Sequence, residues 1–331
     1  MLVISYGSLH KYALLLAFSS SVACSQSKKA IEANSNNSSR PKGIWATEWS
    51  NDGKYFALGG DDSTVWIYNA ADYTLYKSYK LNNALRGLKW HPKENLLAIS
   101  ELGDVQLLDM KTERLTTIPT LTAGGRGIGW NHTGDLLALA DGRGVLQIMD
   151  KEGKIIRSIA KYNNHSYLSL DWHPTKNIVV TASDEIILFD TAGKQLQFIK
   201  HRKENTGILT VKWHPSGEFF ASGDYGHEKE GKPTLLQFWK EDGTLLKSIS
   251  GHHAEIRNLR WNKGGSLLAT ASDALRIWNK NGDLMYSGES AEILWGIAWS
   301  PDEKHIVTGS FENGKVKLWT NTAKLVKELT R

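Results

Sequence analysis

From residue 44 onward the chain alternates short apolar runs with short polar stretches, and the alternation repeats in units built on a tryptophan. The seven tryptophans are Trp49, Trp90, Trp130, Trp172, Trp213, Trp261 and Trp299, spaced 41, 40, 42, 41, 48 and 38 residues apart. Aligned on them, the chain reads TEWSNDGKYFAL, LKWHPKENLLAI, IGWNHTGDLLAL, LDWHPTKNIVVT, VKWHPSGEFFAS, LRWNKGGSLLAT and IAWSPDEKHIVT. A polar stretch rich in Ser, Asn, His, Pro, Asp and Gly follows each tryptophan, which is turn chemistry. Four of the seven prolines, Pro92, Pro174, Pro215 and Pro301, sit two residues past it, where no central strand can run. An apolar run such as Tyr55-Phe56-Ala57-Leu58 predicts a second strand. After another turn comes a third, such as Val65-Trp66-Ile67-Tyr68, Leu275-Arg276-Ile277-Trp278 or Val316-Lys317-Leu318-Trp319. Segments such as Thr244-Leu245-Leu246-Lys247-Ser248-Ile249 predict a fourth.

A period near 40 with four strands per unit is the signature of a β-propeller. The expected fold class is all-β: a seven-bladed β-propeller of four-stranded antiparallel blades over residues 44–331. The pattern resembles the WD40 repeat family. The Trp-Asp that names the family stands here as Tyr68-Asn69, Leu108-Asp109, Met149-Asp150, Phe189-Asp190, Trp239-Lys240, Trp278-Asn279 and Trp319-Thr320, and its Gly-His once, at Gly251-His252. Propellers of that family commonly complete the last blade with an N-terminal strand. Here the first unit starts with its innermost strand and the last supplies its own fourth, Leu325 to Leu329, so each blade is expected to be contiguous in sequence.

Residues 1–23 do not follow the repeat. Lys11 precedes a short apolar stretch, Tyr12 to Phe18, then Ser21-Val22-Ala23 and Cys24, the only cysteine. The stretch is too short to span a bilayer. It reads as a secretory signal, and the position of Cys24 resembles a bacterial lipoprotein signal. That resemblance implies cleavage before Cys24 and its lipidation; the plain alternative is an ordinary signal with Cys24 incidental. Residues 24–43, mostly polar after the cysteine, are expected to form a disordered tether. Two acyl chains hold a protein on a membrane durably where one does so marginally. The expected location is therefore exported and lipid-anchored to a bacterial cell envelope.

The length suits two ordinary domains, but the repeat makes residues 44–331 one. Net charge is +5 from 40 basic and 35 acidic residues, dispersed and without a polybasic block, which argues against a nucleic-acid partner. With one cysteine the mature domain has no disulfide or thiol catalysis to offer.

Four residues before the repeat tryptophans stand Trp45, Arg86, Arg126, Leu168, Leu209, Arg257 and Trp295. In ring order, blades 6, 7, 1, 2 and 3 contribute Arg, Trp, Trp, Arg, Arg, the types most enriched at binding hot spots. The next position is small nearly everywhere: Ala46, Gly87, Gly127, Ser169, Thr210, Asn258 and Gly296. The five are expected to bind a partner, or else to be packing tryptophans and solvated arginines. The long loop of blade 5, residues 224–233, adds Tyr225 and His227 as partner-binding candidates on the same face, with a tolerated insertion as the alternative. His91, His173 and His214 occupy one repeat position in three separate blades, so no shared metal is expected. Gly124-Gly125-Arg126-Gly127-Ile128-Gly129 looks like a phosphate loop but lies in an inner strand with no helix after it. His252, Thr270, Asp273 and Trp278 resemble the structural hydrogen-bond tetrad of WD40 repeats rather than a catalytic triad.

The reading is a non-catalytic scaffold that binds another envelope protein or peptide, acidic in character, through the loop face at the channel mouth. It expects no catalytic residues, no metal and no cofactor. The alternatives are an exported, lactonase-like propeller hydrolase, or a TolB-like envelope assembly factor, suggested by Trp299-Ser300-Pro301-Asp302.

Overall fold

The computed structural model describes residues 43–120, 125–159, 167–202, 206–227 and 230–329. The signal, Cys24 and nearly all of the tether lie outside the described residues. Twenty-eight strands form seven four-stranded antiparallel sheets, each from one continuous segment: residues 44–80, 85–118, 127–159, 169–199, 208–252, 258–289 and 294–329. These are blades 1 to 7 of a β-propeller, and within each the strand order follows the chain.

The inner strands are Ile44–Trp49, Leu85–Trp90, Gly127–Trp130, Ser169–Trp172, Ile208–Trp213, Asn258–Trp261 and Leu294–Trp299. They contact one another in chain order, and Leu294–Trp299 returns to Ile44–Trp49, which closes the ring without strand exchange. Middle strands are buried on both faces, as in Ile186–Asp190 and Leu267–Ala271, and outer strands are largely exposed. The apolar core is accordingly divided into clusters that fill the wedges between neighbouring blades. Gly43 is already part of the body: it is buried, and its carbonyl accepts from the Asp61 amide at 3.1 Å.

The repeat tryptophans tie these wedges together, all seven being buried. Four of their indole N–H groups donate to the backbone of the preceding blade: Trp90 to Glu48 O at 3.3 Å, Trp130 to Lys89 O at 3.2 Å, Trp172 to Gly129 O at 2.8 Å and Trp299 to Arg260 O at 3.0 Å. The turn histidines act in the opposite direction. His91, His173 and His214 meet the carbonyls of Gly134, Gly217 and Gly265 in the following blade at 2.8, 3.1 and 2.8 Å. Each of those glycines has a positive φ, and a Cβ there would lie within 2.6 Å of the histidine ring. The three histidines are thus inter-blade fasteners, far from forming a common site.

The start of the inner strand has a feature that positions the candidate site. In blades 1, 2, 5 and 7 the register slips there, so Trp45, Arg86, Leu209 and Trp295 are the extra residues of β-bulges. A bulge leaves its extra residue unpaired and re-aims the side chain. In blades 3, 4 and 6 the equivalent Arg126, Leu168 and Arg257 come just before the strand begins. All seven side chains are thereby freed from the alternation of the sheet and reach the mouth of the central channel.

Candidate functional site

The five residues singled out at this repeat position come together, and more tightly than a row of neighbours on a rim. The Arg86 guanidinium lies 4.0 Å from the Trp45 ring centre, and Arg257 lies 4.3 Å from that of Trp295. Arg126 crosses to both, at 4.8 Å from Trp45 and 4.9 Å from Trp295. Each such contact adds roughly 0.5–2 kcal/mol, more as water is excluded. The tryptophans pack against each other, and the arginines lie on their faces rather than free in solvent. The cluster is one aromatic and cationic plug set across the channel mouth.

Carboxylates hold two of the arginines. Asp61 accepts from the Trp45 indole at 2.7 Å and pairs with Arg86 at 3.4 Å. Glu255 pairs with Arg257 at 3.0 Å. Arg126 has no carboxylate against it among the described residues; the Tyr225 side chain beside it favours its charged form. Burial, with Arg257 and Arg86 beside it, pulls the Arg126 guanidinium down to about 10. Burial also lowers Arg86, against the pull of Asp61.

The two candidates of the blade 5 loop separate. Tyr225 joins the plug: its ring lies 5.5 Å from the Arg257 guanidinium. His227 stays in a small hairpin, bridged to Lys232 and 3.6 Å from Glu230, and is exposed. Buried Asp224 organises the loop's base, accepting from the amides of Gly226 and Leu235 at 3.0 and 2.8 Å and from Arg202 at 2.7 Å.

Beneath the plug lies a second charged layer that reasoning on the tryptophan-minus-four position misses. It comes from the residues directly before the repeat tryptophans: Glu48, Lys89, Asp171, Lys212 and Arg260. Lys89 and Arg260 converge on Glu48 at 2.5 and 3.4 Å, and Lys212 stands 3.6 Å from Asp171. Burial opposes the ionisation of Glu48, yet Lys89 and Arg260 hold its carboxyl below the ordinary range. Burial draws the Lys212 ammonium down to about 8, against the pull of Asp171. The signal was available in the repeats TEW, LKW, LDW, VKW and LRW, where a charged residue stands at a channel-facing strand position.

Chemically the mouth presents donors and aromatic faces; its carboxylates Asp61 and Glu255 are paired, as are Glu48 and Asp171 below. The Gly125–Gly129 stretch runs into the inner strand of blade 3. Among the described residues no group of three or more His, Cys, Asp or Glu is placed to hold a metal ion.

Comparison with known proteins matches these repeats directly. The WD domain, G-beta repeat model matches residues 35–69, 193–228, 243–279 and 282–320. A model of the anaphase-promoting complex subunit 4 WD40 domain matches residues 88–175. This chain belongs to the WD40 repeat family. Among WD40 relatives it is similar to a WD repeat-containing protein WDS homolog of Arabidopsis thaliana, 26% identical over 290 residues, 70% of this chain and 54% of that protein. It is 24% identical to an intraflagellar transport protein 122 homolog of Danio rerio over 225 residues, 66% of this chain and 18% of that protein. It is 28% identical to a probable cytosolic iron-sulfur protein assembly protein 1 of Candida glabrata over 127 residues, 34% of this chain and 36% of that protein. The matched regions span between 18% and 54% of the length of these relatives.

The WD40 tetrad of blade 6 is only partly present. His252 bonds Thr270 Oγ1 at 2.9 Å, and the Trp278 indole donates to the same oxygen at 3.1 Å. Asp273 does not complete it. Arg276 takes both of its oxygens, at 2.9 and 2.8 Å, and His252 Nδ1 is left without a partner. Burial, with the Arg276 charge next, pushes His252 down to about 3, so the ring is neutral.

Proposed function

We propose that this WD40 propeller is a non-catalytic binding scaffold whose channel mouth takes an acidic or carboxylate-bearing segment of another protein. The observation that carries the reading is Arg126: a guanidinium set against two indoles, flanked by Arg86 and Arg257, with no carboxylate of the described chain against it. A guanidinium can grip a carboxylate through two parallel hydrogen bonds, and the indoles add apolar area at little entropic cost. Leu168 and Leu209 occupy the opposite arc, so the mouth is lopsided, as suits one oriented ligand. Membership of a family of WD-repeat proteins supports a scaffold role. We further propose that the partner is an envelope protein and that Cys24 carries the lipid anchor. That part rests on the sequence alone.

The docking reading is tested with fluorescent octapeptides of glutamate and aspartate, against neutral and lysine-rich octapeptides of equal length. The acidic peptides should bind preferentially, and Arg86→Ala should weaken them about tenfold or more. Equal binding of all three sets would remove the reading. The anchoring is tested by detergent phase partition: wild type should enter the detergent phase and Cys24→Ala should not.

A further inference from the structure

Between the plug and the charged layer below it the channel encloses about 50 Å³. The roof is Trp45, Trp295 and the three arginines; the floor includes Lys212 and Arg260. Roof and floor are three residues apart on the inner strands, roughly 7–10 Å at about 3.3 Å per residue. The wall between them is the small-residue position, and it is not uniform. Blades 1, 2, 3 and 7 contribute Ala46, Gly87, Gly127 and Gly296, whereas blades 4, 5 and 6 contribute Ser169, Thr210 and Asn258. The glycines have their own reason: a Cβ at Gly87 would lie 2.9 Å from Arg126 O, and one at Gly296 would lie 2.8 Å from Thr47 Cγ2. The polar residues have no such steric origin. They stand on the side that also carries Lys212, Arg257 and Arg260.

Several of these donors are unused. Thr210 is 2% exposed and its hydroxyl has no hydrogen-bond partner. The Nε groups of Arg257 and Arg260 are also buried without partners. A buried donor left unpaired costs about 1–3 kcal/mol, more beside a charge, so native structures seldom retain several in one place without a water, an ion or a ligand to accept from them. The charges do not close either. Arg86, Arg126, Arg257, Lys212 and Arg260 line this space; with Lys89, which shares Glu48, they make six cations against four paired carboxylates among the described residues, Asp61, Glu255, Glu48 and Asp171. At roughly 10–15 Å³ per water the chamber holds about three to five water-sized groups, a range that includes the four oxygens of a tetrahedral oxyanion.

We propose that this chamber binds one free tetrahedral oxyanion of the phosphate or sulfate class, held by Arg126 from above, Lys212 and Arg260 from below, and the Thr210 hydroxyl from the side. The anion supplies the charge that the channel wall lacks and gives the unpaired donors acceptors. The site shares Arg126 with the docking reading but does not rest on it. It faces the channel interior and needs no partner protein.

The test uses the purified chain and inorganic phosphate or sulfate alone. Isothermal titration at fixed ionic strength should show one site per chain. The melting temperature should rise with phosphate at constant ionic strength made up with sodium chloride. Phosphate also stabilises proteins by exclusion from their surface, so the variants decide. Thr210→Val keeps the shape of the side chain and removes its hydroxyl; it should weaken phosphate at least fivefold while leaving the phosphate-free melting temperature unchanged or raised, since the unpaired hydroxyl is gone. Lys212→Met should weaken it tenfold or more, and exposed Lys324→Met should not alter it. Equal stabilisation of wild type, Thr210→Val and Lys212→Met overturns the proposal. Binding of a phosphoserine peptide with none of free phosphate also overturns it, since the group would then arrive on a chain at the mouth. Neither result decides the docking reading, which is read in phosphate-free buffer on the glutamate and aspartate peptides.

Discussion

The Trp45 and Trp295 ring centres stand 4.4 Å apart, tilted at 53°, across the seam where the last blade meets the first. Phe311 packs against both, at 5.0 and 4.9 Å. A ring whose blades are each contiguous has no shared strand to lock it, so side chains and inner-strand contacts must hold that seam. The same two indoles carry the arginines of the channel mouth, so the seam and the candidate binding site are built from common parts.

Trp295 is only 7% exposed, so its truncation should register in folding as well as in binding. Trp295→Ala should cost about 3 kcal/mol in a urea titration, in the range for truncating a buried tryptophan, and should weaken acidic peptides. Arg86→Ala should cost less in stability, because its side chain is more exposed and its Asp61 partner can be hydrated. A Trp295→Ala protein with wild-type stability would mean that the seam does not depend on the ring pair.

Trp172 represents the repeat tryptophans. It is buried among Ala138, Ile148 and Leu170, and its indole donates to Gly129 O at 2.8 Å. Trp172→Ala should lower stability by roughly 3–5 kcal/mol. Trp172→Phe, which keeps most of the ring and loses the donor, should cost about 1–3 kcal/mol through the unpaired Gly129 carbonyl and lost volume. A Trp172→Phe protein as stable as wild type would mean that the hydrogen bond to Gly129 does not fasten that wedge.

An acid-side prediction comes from His173. Its Nε2 meets Gly217 O, while its Nδ1 accepts from the amides of Thr175 and Lys176 at 3.1 and 3.0 Å. The ring therefore sits neutral, with its proton on Nε2. Burial lowers its pKa, and protonation would bring an Nδ1–H against two amide donors. A depressed histidine leaves the unfolded chain holding the extra proton, so stability should fall as pH drops below about 6.5, the ordinary histidine value. His173→Gln should flatten part of that limb in urea titrations between pH 7 and 5. An unchanged slope would assign the acid sensitivity to other groups, buried His252 among them.

The tryptophan spacing carries the fold because every blade needs one large side chain to fill its wedge, and that requirement recurs in linear order. The arc Arg257, Trp295, Trp45, Arg86, Arg126 is legible for the same reason. What linear order does not display is the direction of side chains at a bulge. Arg126 reaches across to Trp45 and Trp295 rather than to its ring neighbour alone, and Asp61 enters from a turn outside the aligned windows. Tyr225 and His227 are two residues apart in one loop, and only the folded hairpin separates the one in the plug from the one outside it. The lower charged layer was visible in the repeats, but a charged residue in a strand ordinarily signals a solvated face. Only closure of the ring turns that face inward.

The alkaline side isolates the channel floor through Lys212. Asp171, Arg260, Lys89 and Glu48 all face this ammonium, and burial is the largest influence on it, drawing it from an ordinary 10.5 to about 8. The depressed lysine is neutral in the folded chain at pH values where the unfolded chain still binds the proton. Unfolding then takes up a proton, so stability contributed through this group rises with pH between about 8 and 10.5. Below pH 8 the full cost of burying the charge is present. Lys212→Met should therefore be as stable as wild type or more so at pH 7. That advantage should shrink by an amount of order 2–3 kcal/mol as pH approaches 10, since each tenfold change in proton affinity is worth about 1.4 kcal/mol. Urea titrations of both proteins at pH 7, 8, 9 and 10 read the difference and cancel the tyrosines and exposed lysines common to them. Added phosphate should raise the pKa of Lys212 by occupying the chamber and move the window upward. A wild-type-to-variant difference that is flat from pH 7 to 10 would mean that Lys212 keeps its charge throughout, and that the floor of the channel is hydrated rather than closed.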